Sequence, residues 1–289
     1  MKPSRSTVIP LRGLRSHVRE WGDPSAPKLF LLHGWMDVSA SFQFVVDQLQ
    51  GQWFVIAPDW RGFGLSQWTN QGYWSPDFIA DLDGLLERYS PGEPARIVGH
   101  SMGGNVANLY AGIRPERVDK VVLAEGFGLP PTKPQEAPER YGRWLAQNRQ
   151  PPALRPYRTF EEVAQRLKKN NPKLGDEQAR YLALHWAEER PDGSIHLRAD
   201  PRHRMVNPVL YRLEEAMACW RRITAPVLWL WSDSNWIASF MGNDQALLDS
   251  YRACFLSLRE ETIAGAGHMM HHDQPAAFAR SIEAFMTQP

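Results

Sequence analysis

Cysteine is scarce in this chain: Cys219 and Cys254 are the only two, and neither belongs to a CxxC or Cys/His spacing. A disulfide framework is therefore not expected, no metal site is read from the spacing, and both thiols are expected to be reduced. No apolar run approaches the roughly 20 residues that span a bilayer. The opening Met1-Lys2-Pro3-Ser4-Arg5-Ser6-Thr7 leads into mixed sequence, without the apolar stretch of about 7 to 15 residues that marks a secretory signal. A cytoplasmic location is the resulting expectation. No GxGxxG opens a helix after a strand, which argues against a cofactor-dependent dehydrogenase, and no cofactor is expected. Charge of one sign is also lacking, since the net value is +1. Such a chain has no global field for nucleic acid, and neither nucleic acid nor membrane is an expected partner.

The balance hides an asymmetry. Between positions 133 and 222 there are 18 Lys/Arg against 12 Asp/Glu, leaving 15 against 20 elsewhere. A solvated helical surface accounts for this, and a basic lid attracting anionic substrates is the alternative.

Hydrophobic residues make up 43% and charged residues 22% of the 289, the balance of a globular protein long enough for one large core plus an insertion. Short apolar runs rich in β-branched and aromatic residues recur: Lys28-Leu29-Phe30-Leu31-Leu32, Trp53-Phe54-Val55-Ile56-Ala57, Ala95-Arg96-Ile97-Val98, Lys120-Val121-Val122-Leu123-Ala124 and Pro226-Val227-Leu228-Trp229-Leu230-Trp231. Each is too short and continuous for an amphipathic helix and reads as a strand buried on both faces. Helical patterns fall between them. Ser75-Pro76-Asp77 marks one helix start, with Phe78, Leu82, Leu85 and Leu86 at helical spacing; another helix spans 102–113, and a last one begins at Gln274-Pro275-Ala276. The alternation predicts an α/β fold, a mostly parallel central sheet covered by helices on both faces.

Over 129–222 the strand signal disappears, and prolines punctuate Arg- and Trp-rich helical segments at 159–169 and 176–189. The expected organisation is a core from 1–128 and 223–289 with a helical cap inserted at 129–222.

Within Gly99-His100-Ser101-Met102-Gly103 the sequence passes from strand to helix. That context belongs to a nucleophile elbow, in which a tight turn forces the serine into a strained backbone and leaves no room for side chains two positions away. The following helix directs free amides toward the serine.

Four motifs together resemble the α/β-hydrolase superfamily, in particular its capped bacterial serine hydrolases: His33-Gly34-Trp35, Asp59-Trp60-Arg61-Gly62-Phe63-Gly64-Leu65-Ser66, Gly99 to Gly103, and Gly265-Ala266-Gly267-His268. They occur in the family's order and cover the core from about residue 28 onward. The resemblance implies Ser101 as nucleophile, His268 as base, and the backbone N–H groups of Trp35 and Met102 as oxyanion donors. His271 and His272 lie nearer the last helix and are read as peripheral; His33 and His100 are read as packing beside the site.

The acid departs from the common pattern. The superfamily's usual aspartate position falls on Asn235, whose amide cannot supply a charge. Asp233 lies two residues earlier, an offset of about 6.5 Å along an extended chain. Glu125, at the end of the run 120–124, resembles a variant placement seen in one branch of the haloalkane dehalogenases. Glu125 is favoured over Asp233, because its strand is expected beside that of Ser101 and its side chain is longer; pairing with a cap arginine is the structural alternative.

Twelve tryptophans, with Trp35, Trp60, Tyr73 and Trp74 near the expected site loops and Trp144, Trp186 and Trp220 in the cap, suggest an apolar pocket. The expected chemistry is carboxylic ester hydrolysis of a small-molecule substrate through an acyl-enzyme, with carbon–carbon bond hydrolysis of a diketone-like substrate as the alternative within the same triad. A noncatalytic ligand-binding protein on the same fold is the alternative from another class. Dehalogenase and epoxide hydrolase chemistry would need aspartate at position 101.

Overall fold

The computed structural model describes residues 1–234 and 236–288. Two strands precede the first one expected. β1 (Ser4–Leu11) and β2 (Leu14–Trp21) pair antiparallel along their length, and Arg12-Gly13 joins them with φ of 48° and 79°. Positive φ at both central positions is what a two-residue hairpin turn matched to strand twist requires.

The alternation then follows as β3 (Lys28–Leu32), α1 (Gln43–Gln48), β4 (Phe54–Pro58), α2 (Ser75–Tyr89), β5 (Ala95–His100), α3 (Met102–Ile113) and β6 (Val118–Ala124). Next come α4 (Ala137–Arg149), α5 (Phe160–Asn170), α6 (Asp176–Trp186), β7 (Ala187–Glu189), β8 (Ile195–Leu197) and α7 (Leu213–Trp220). The chain closes with β9 (Val227–Ser232), α8 (Trp236–Phe240), α9 (Gln245–Arg252), β10 (Leu258–Ile263), α10 (Met270–Asp273) and α11 (Pro275–Met286).

One eight-stranded sheet runs in the order β1-β2-β4-β3-β5-β6-β9-β10. It is parallel from β4 to β10 and antiparallel at the β1–β2 and β2–β4 pairs. The central strands carry continuous apolar runs, at 29–32, 54–57, 121–124 and 227–231, because both faces are covered. Phe30, Leu32, Ile97, Val121 and Leu123 face one core with α2, α3 and α7, while Leu29, Leu31, Val98, Val122 and Ala124 face the other with α1 and α11. The two-residue period of a strand divides each run between these cores.

From β3 the chain turns outward to β4, then crosses back to place β5 on the other side of β3. Connections leaving β3 and β5 therefore diverge at their carboxyl ends, opening a crevice where ligands bind in open α/β sheets.

The stretch between β6 and β9 differs from expectation in one respect. It contains a two-stranded hairpin, β7–β8, and the helix expected over 176–189 ends at Trp186, its last residues forming β7 instead. Three-residue strands are too short to leave a periodic signal. An apolar cluster of its own joins Val163, Leu167, Leu182 and Ile195. This stretch is fastened to the 59–73 region: Gly64 N–H donates to Arg198 O at 2.8 Å, Asp200 N–H to Gly62 O at 2.8 Å, and Tyr73 O–H to Asp200 Oδ2 at 2.9 Å. Among the described residues no helix is long and apolar enough to cross a membrane, and both cysteines are free thiols.

Candidate active site

Ser101 stands between β5 and α3 with φ 52° and ψ −116°, a conformation that L-residues adopt only under constraint. The constraint is visible in the glycines around it. A Cβ on Gly99 would lie 2.4 Å from Gly103 O, and one on Gly103 would lie 2.3 Å from Leu32 O. The elbow is thus wedged between its own helix and the end of β3.

His268 reaches Ser101 from the loop between β10 and α10. Its Nε2 lies 3.2 Å from Ser101 Oγ, and its Nδ1 lies 3.5 Å from Glu125 Oε2. Glu125 extends from the end of β6, the strand paired with β5, and is fully buried with φ 51°. Its other oxygen, Oε1, accepts the Ser232 N–H at 2.7 Å. Beyond it, Gly128 N–H donates to Asn105 Oδ1 at 2.7 Å, which directs the chain away after the carboxylate. Asp233 lies elsewhere: it is exposed, and its Oδ2 accepts the Gly265 N–H at 2.6 Å. Asn235 falls outside the described residues. Of the two candidate carboxylates, the structure brings Glu125 to the imidazole.

Ser101 and Glu125 line a cavity of about 340 Å³ whose wall is mainly apolar, including Ile79, Leu109, Trp220 and Phe240. Trp35 and Met102 line it as well. Met102 opens α3, so its N–H has no carbonyl one turn back within the helix. Trp35 is 51% exposed, and its indole N–H donates to His203 O at 3.3 Å. Among the described residues no lysine or arginine lines this cavity.

Sequence reasoning missed Trp236. Its ring lies over His268 at 3.8 Å between centroids, tilted by 34°, and Phe240 stacks behind it. It follows a loop with no periodic pattern, so nothing in the sequence pointed to this contact. Trp60, expected near the site, is instead core: its indole N–H donates to His33 O at 2.9 Å.

His271 and His272 are buried and not peripheral. His100 Nε2–H donates to His268 O at 2.7 Å, fixing the loop that carries His268, and His271 Nε2 lies 3.2 Å from Asp37 Oδ2. Burial, with His268 close by, pushes His271 down to about 3, and burial, with His271 and His268 close by, pushes His100 well below its usual value. Asp37, His100 and His271 each offer a potential ligand atom within 4.8 Å of the others, the one grouping among the described residues with the donors a metal would use.

The sequence pattern of the alpha/beta hydrolase fold matches residues 27–275. A serine hydrolase-like protein of Danio rerio is 28% identical across 96% of this chain and 86% of its own length. The thioesterase domain from the curacin biosynthetic pathway superposes with a TM-score of 0.86 at 23% identity, covering 97% of this chain and 99% of that one. An esterase from Mycobacterium tuberculosis does so at 0.73 with 21% identity, covering 100% and 92%. With a match this extensive and a sheet of the order found here, the chain belongs to the alpha/beta hydrolase fold family.

Proposed function

We propose that this protein hydrolyses a carboxylic ester of a small, largely apolar substrate through an acyl-enzyme. The observation that carries the proposal is the continuous line from Ser101 Oγ to His268 Nε2 and from His268 Nδ1 to Glu125, at 3.2 and 3.5 Å, on the wall of an apolar cavity. Ser101 Oγ attacks the ester carbonyl while His268 Nε2 takes its proton, and Glu125 holds the Nδ1–H and balances the imidazolium. The carbonyl oxygen becomes an oxyanion between the N–H groups of Trp35 and Met102, each such donor being worth about 2.7 to 4 kcal/mol. Collapse expels the alcohol, which takes the proton from His268. Water then attacks the acyl-enzyme with His268 again as base, releasing the carboxylic acid and restoring Ser101.

The stretch 129–222 is proposed as a cap, since Tyr211 and Trp220 from it wall the cavity together with core residues. Without cationic lining, the cavity favours a neutral acyl group; the excess of basic residues in this stretch lies away from it.

The test is labelling with a fluorophosphonate probe followed by a panel of p-nitrophenyl esters of increasing chain length, with a diketone as comparison. Labelling at Ser101 and turnover of neutral esters is the expected result. Absence of labelling in folded protein favours a noncatalytic binding role, and turnover of the diketone alone favours carbon–carbon bond hydrolysis.

A further inference from the structure

A second cavity, of about 360 Å³, lies between the loop 38–40 and the face of the inserted stretch formed by α6 and the residue after β8. It shares no lining residue with the cavity at Ser101. Arg19 from β2 and Arg198 both line it.

These guanidiniums are incompletely compensated. Arg19 is 8% exposed; its Nη1 donates to the neutral Ser4 hydroxyl at 2.9 Å, and its buried Nε has no partner. Arg198 donates from Nε to the Ala187 carbonyl at 3.0 Å. Neither pairs with a carboxylate among the described residues. Ser39 Oγ, also on the cavity wall, is buried without a partner.

One carboxylate, Asp59, lines the same space, but its oxygens are occupied by Ser39 N–H at 2.7 Å, His17 Nδ1 at 2.8 Å and Leu65 N–H at 2.9 Å. Burial opposes its ionisation, yet the hydrogen bond from His17 holds its pKa below the usual range. Two guanidiniums facing one carboxylate leave a positive excess of one charge. His185, on the same wall, is pushed down to about 4, by burial first and then by the charges of Arg19 and Arg198 against the pull of Asp59. A buried cation without a counterion, as Arg19 is, is unfavourable by several kcal/mol, and an open space beside it and the half-buried Arg198 is shaped to admit that counterion. Leu65 and Leu184 supply an apolar side to the same cavity.

We propose that this cavity is a binding site for a small organic monocarboxylate, its head group held by Arg19, Arg198 and Ser39 and its chain against Leu65 and Leu184. Carboxylate recognition by guanidinium forks explains the choice of two arginines with unfilled donors. The site does not depend on the chemistry at Ser101.

The experiment titrates hexanoate, and its neutral isostere hexanamide, into full-length Ser101→Ala protein by calorimetry, so that turnover plays no part. Saturable hexanoate binding is expected, with hexanamide at least roughly tenfold weaker and hexanoate weakened about tenfold or more in the added variant Arg198→Gln, from the loss of a charged hydrogen bond. Arg198 lies outside the central sheet, and Leu184→Trp, at a side chain 58% exposed on the rim, supplies a second block that leaves both arginines intact. Equal binding of hexanoate and hexanamide, hexanoate affinity unchanged in both variants, or no binding at millimolar hexanoate overturns the proposal. Failure of fluorophosphonate labelling at Ser101 leaves these outcomes untouched.

Discussion

Glu125 Oε2 faces His268 Nδ1 at 3.5 Å while Glu125 Oε1 is anchored by the Ser232 N–H at 2.7 Å. One carboxylate thus joins the ends of β6 and β9 to the loop of His268. Its positive φ shows that the backbone is held in an unfavourable region to aim it. In Glu125→Gln the side chain keeps its shape but loses the charge that balances the imidazolium. A fall in kcat of about 10³- to 10⁴-fold is expected, with a far-UV spectrum like that of the parent. Asp233→Asn, at an exposed residue bonded to Gly265 N–H, is expected to change kcat less than about threefold, within the small effect of a surface substitution. Equal losses in the two variants would remove Glu125 from the role given to it.

Two glycine substitutions are expected to have opposite signs. In Gly103→Ala the new methyl would meet backbone, with Leu32 O at 2.3 Å and His33 O at 2.8 Å. Neither atom can move without displacing β3, so a loss of about 3 kcal/mol or a failure to fold is expected. Gly142, inside α4, has nothing within 4 Å of its Cβ position. Gly142→Ala is expected to gain roughly 0.5–1 kcal/mol from helix propensity. Urea denaturation of both variants checks the contrast.

The parallel strands and the strand-to-helix turn at Ser101 were legible because each leaves a local mark: a doubly buried strand needs a continuous apolar run, and the tight turn needs its glycines. The β1–β2 hairpin left no such mark. Its strands carry exposed Arg and Ser, and a buried Glu20, beside the core residues, and its turn uses Arg12-Gly13, not the Asn-Gly or Asp-Gly that announce a hairpin. Glu125 was legible as one of two carboxylates, and only the approach of His268, distant in sequence, separates it from Asp233. Burial of Asp37, His100 and His271 in one cluster is likewise a product of tertiary packing, invisible in a linear spacing.

Trp236 lies over the imidazole ring of His268. In the proposed mechanism Ser101 yields its proton and the imidazole becomes a cation against an aromatic face, an attraction worth about 0.5–1 kcal/mol at a partly exposed site. Trp236 is 39% exposed, so this range applies. Trp236→Leu keeps an apolar wall and removes the aromatic face. A decrease in kcat of roughly two- to fivefold is expected, with KM for a short neutral ester nearly unchanged. A rise in KM at constant kcat would make Trp236 a substrate wall only.

His203 gives the fold a pH dependence of its own. Its ring is sandwiched between Phe63 at 3.7 Å and Tyr73 at 3.6 Å, and Nε2–H donates to Arg61 O at 3.0 Å. Burial pushes it from 6.5 down to about 3, against the Arg61 hydrogen bond. Above pH 6.5 the residue is neutral in both folded and unfolded chains, and its contribution is complete. As the pH falls below 6.5 the unfolded chain takes up a proton that folded His203 refuses until about pH 3, so stability declines through that window. The slope approaches about 1.4 kcal/mol per pH unit for this one group. His203→Phe retains an aromatic ring in the stack and removes the titration. Denaturation midpoints between pH 7 and pH 4.5 should therefore fall less steeply in the variant, by nearly that amount per unit, after a uniform loss of about 1 kcal/mol for the missing hydrogen bond. Parallel stability curves for the two proteins would show that His203 takes up its proton without unfolding.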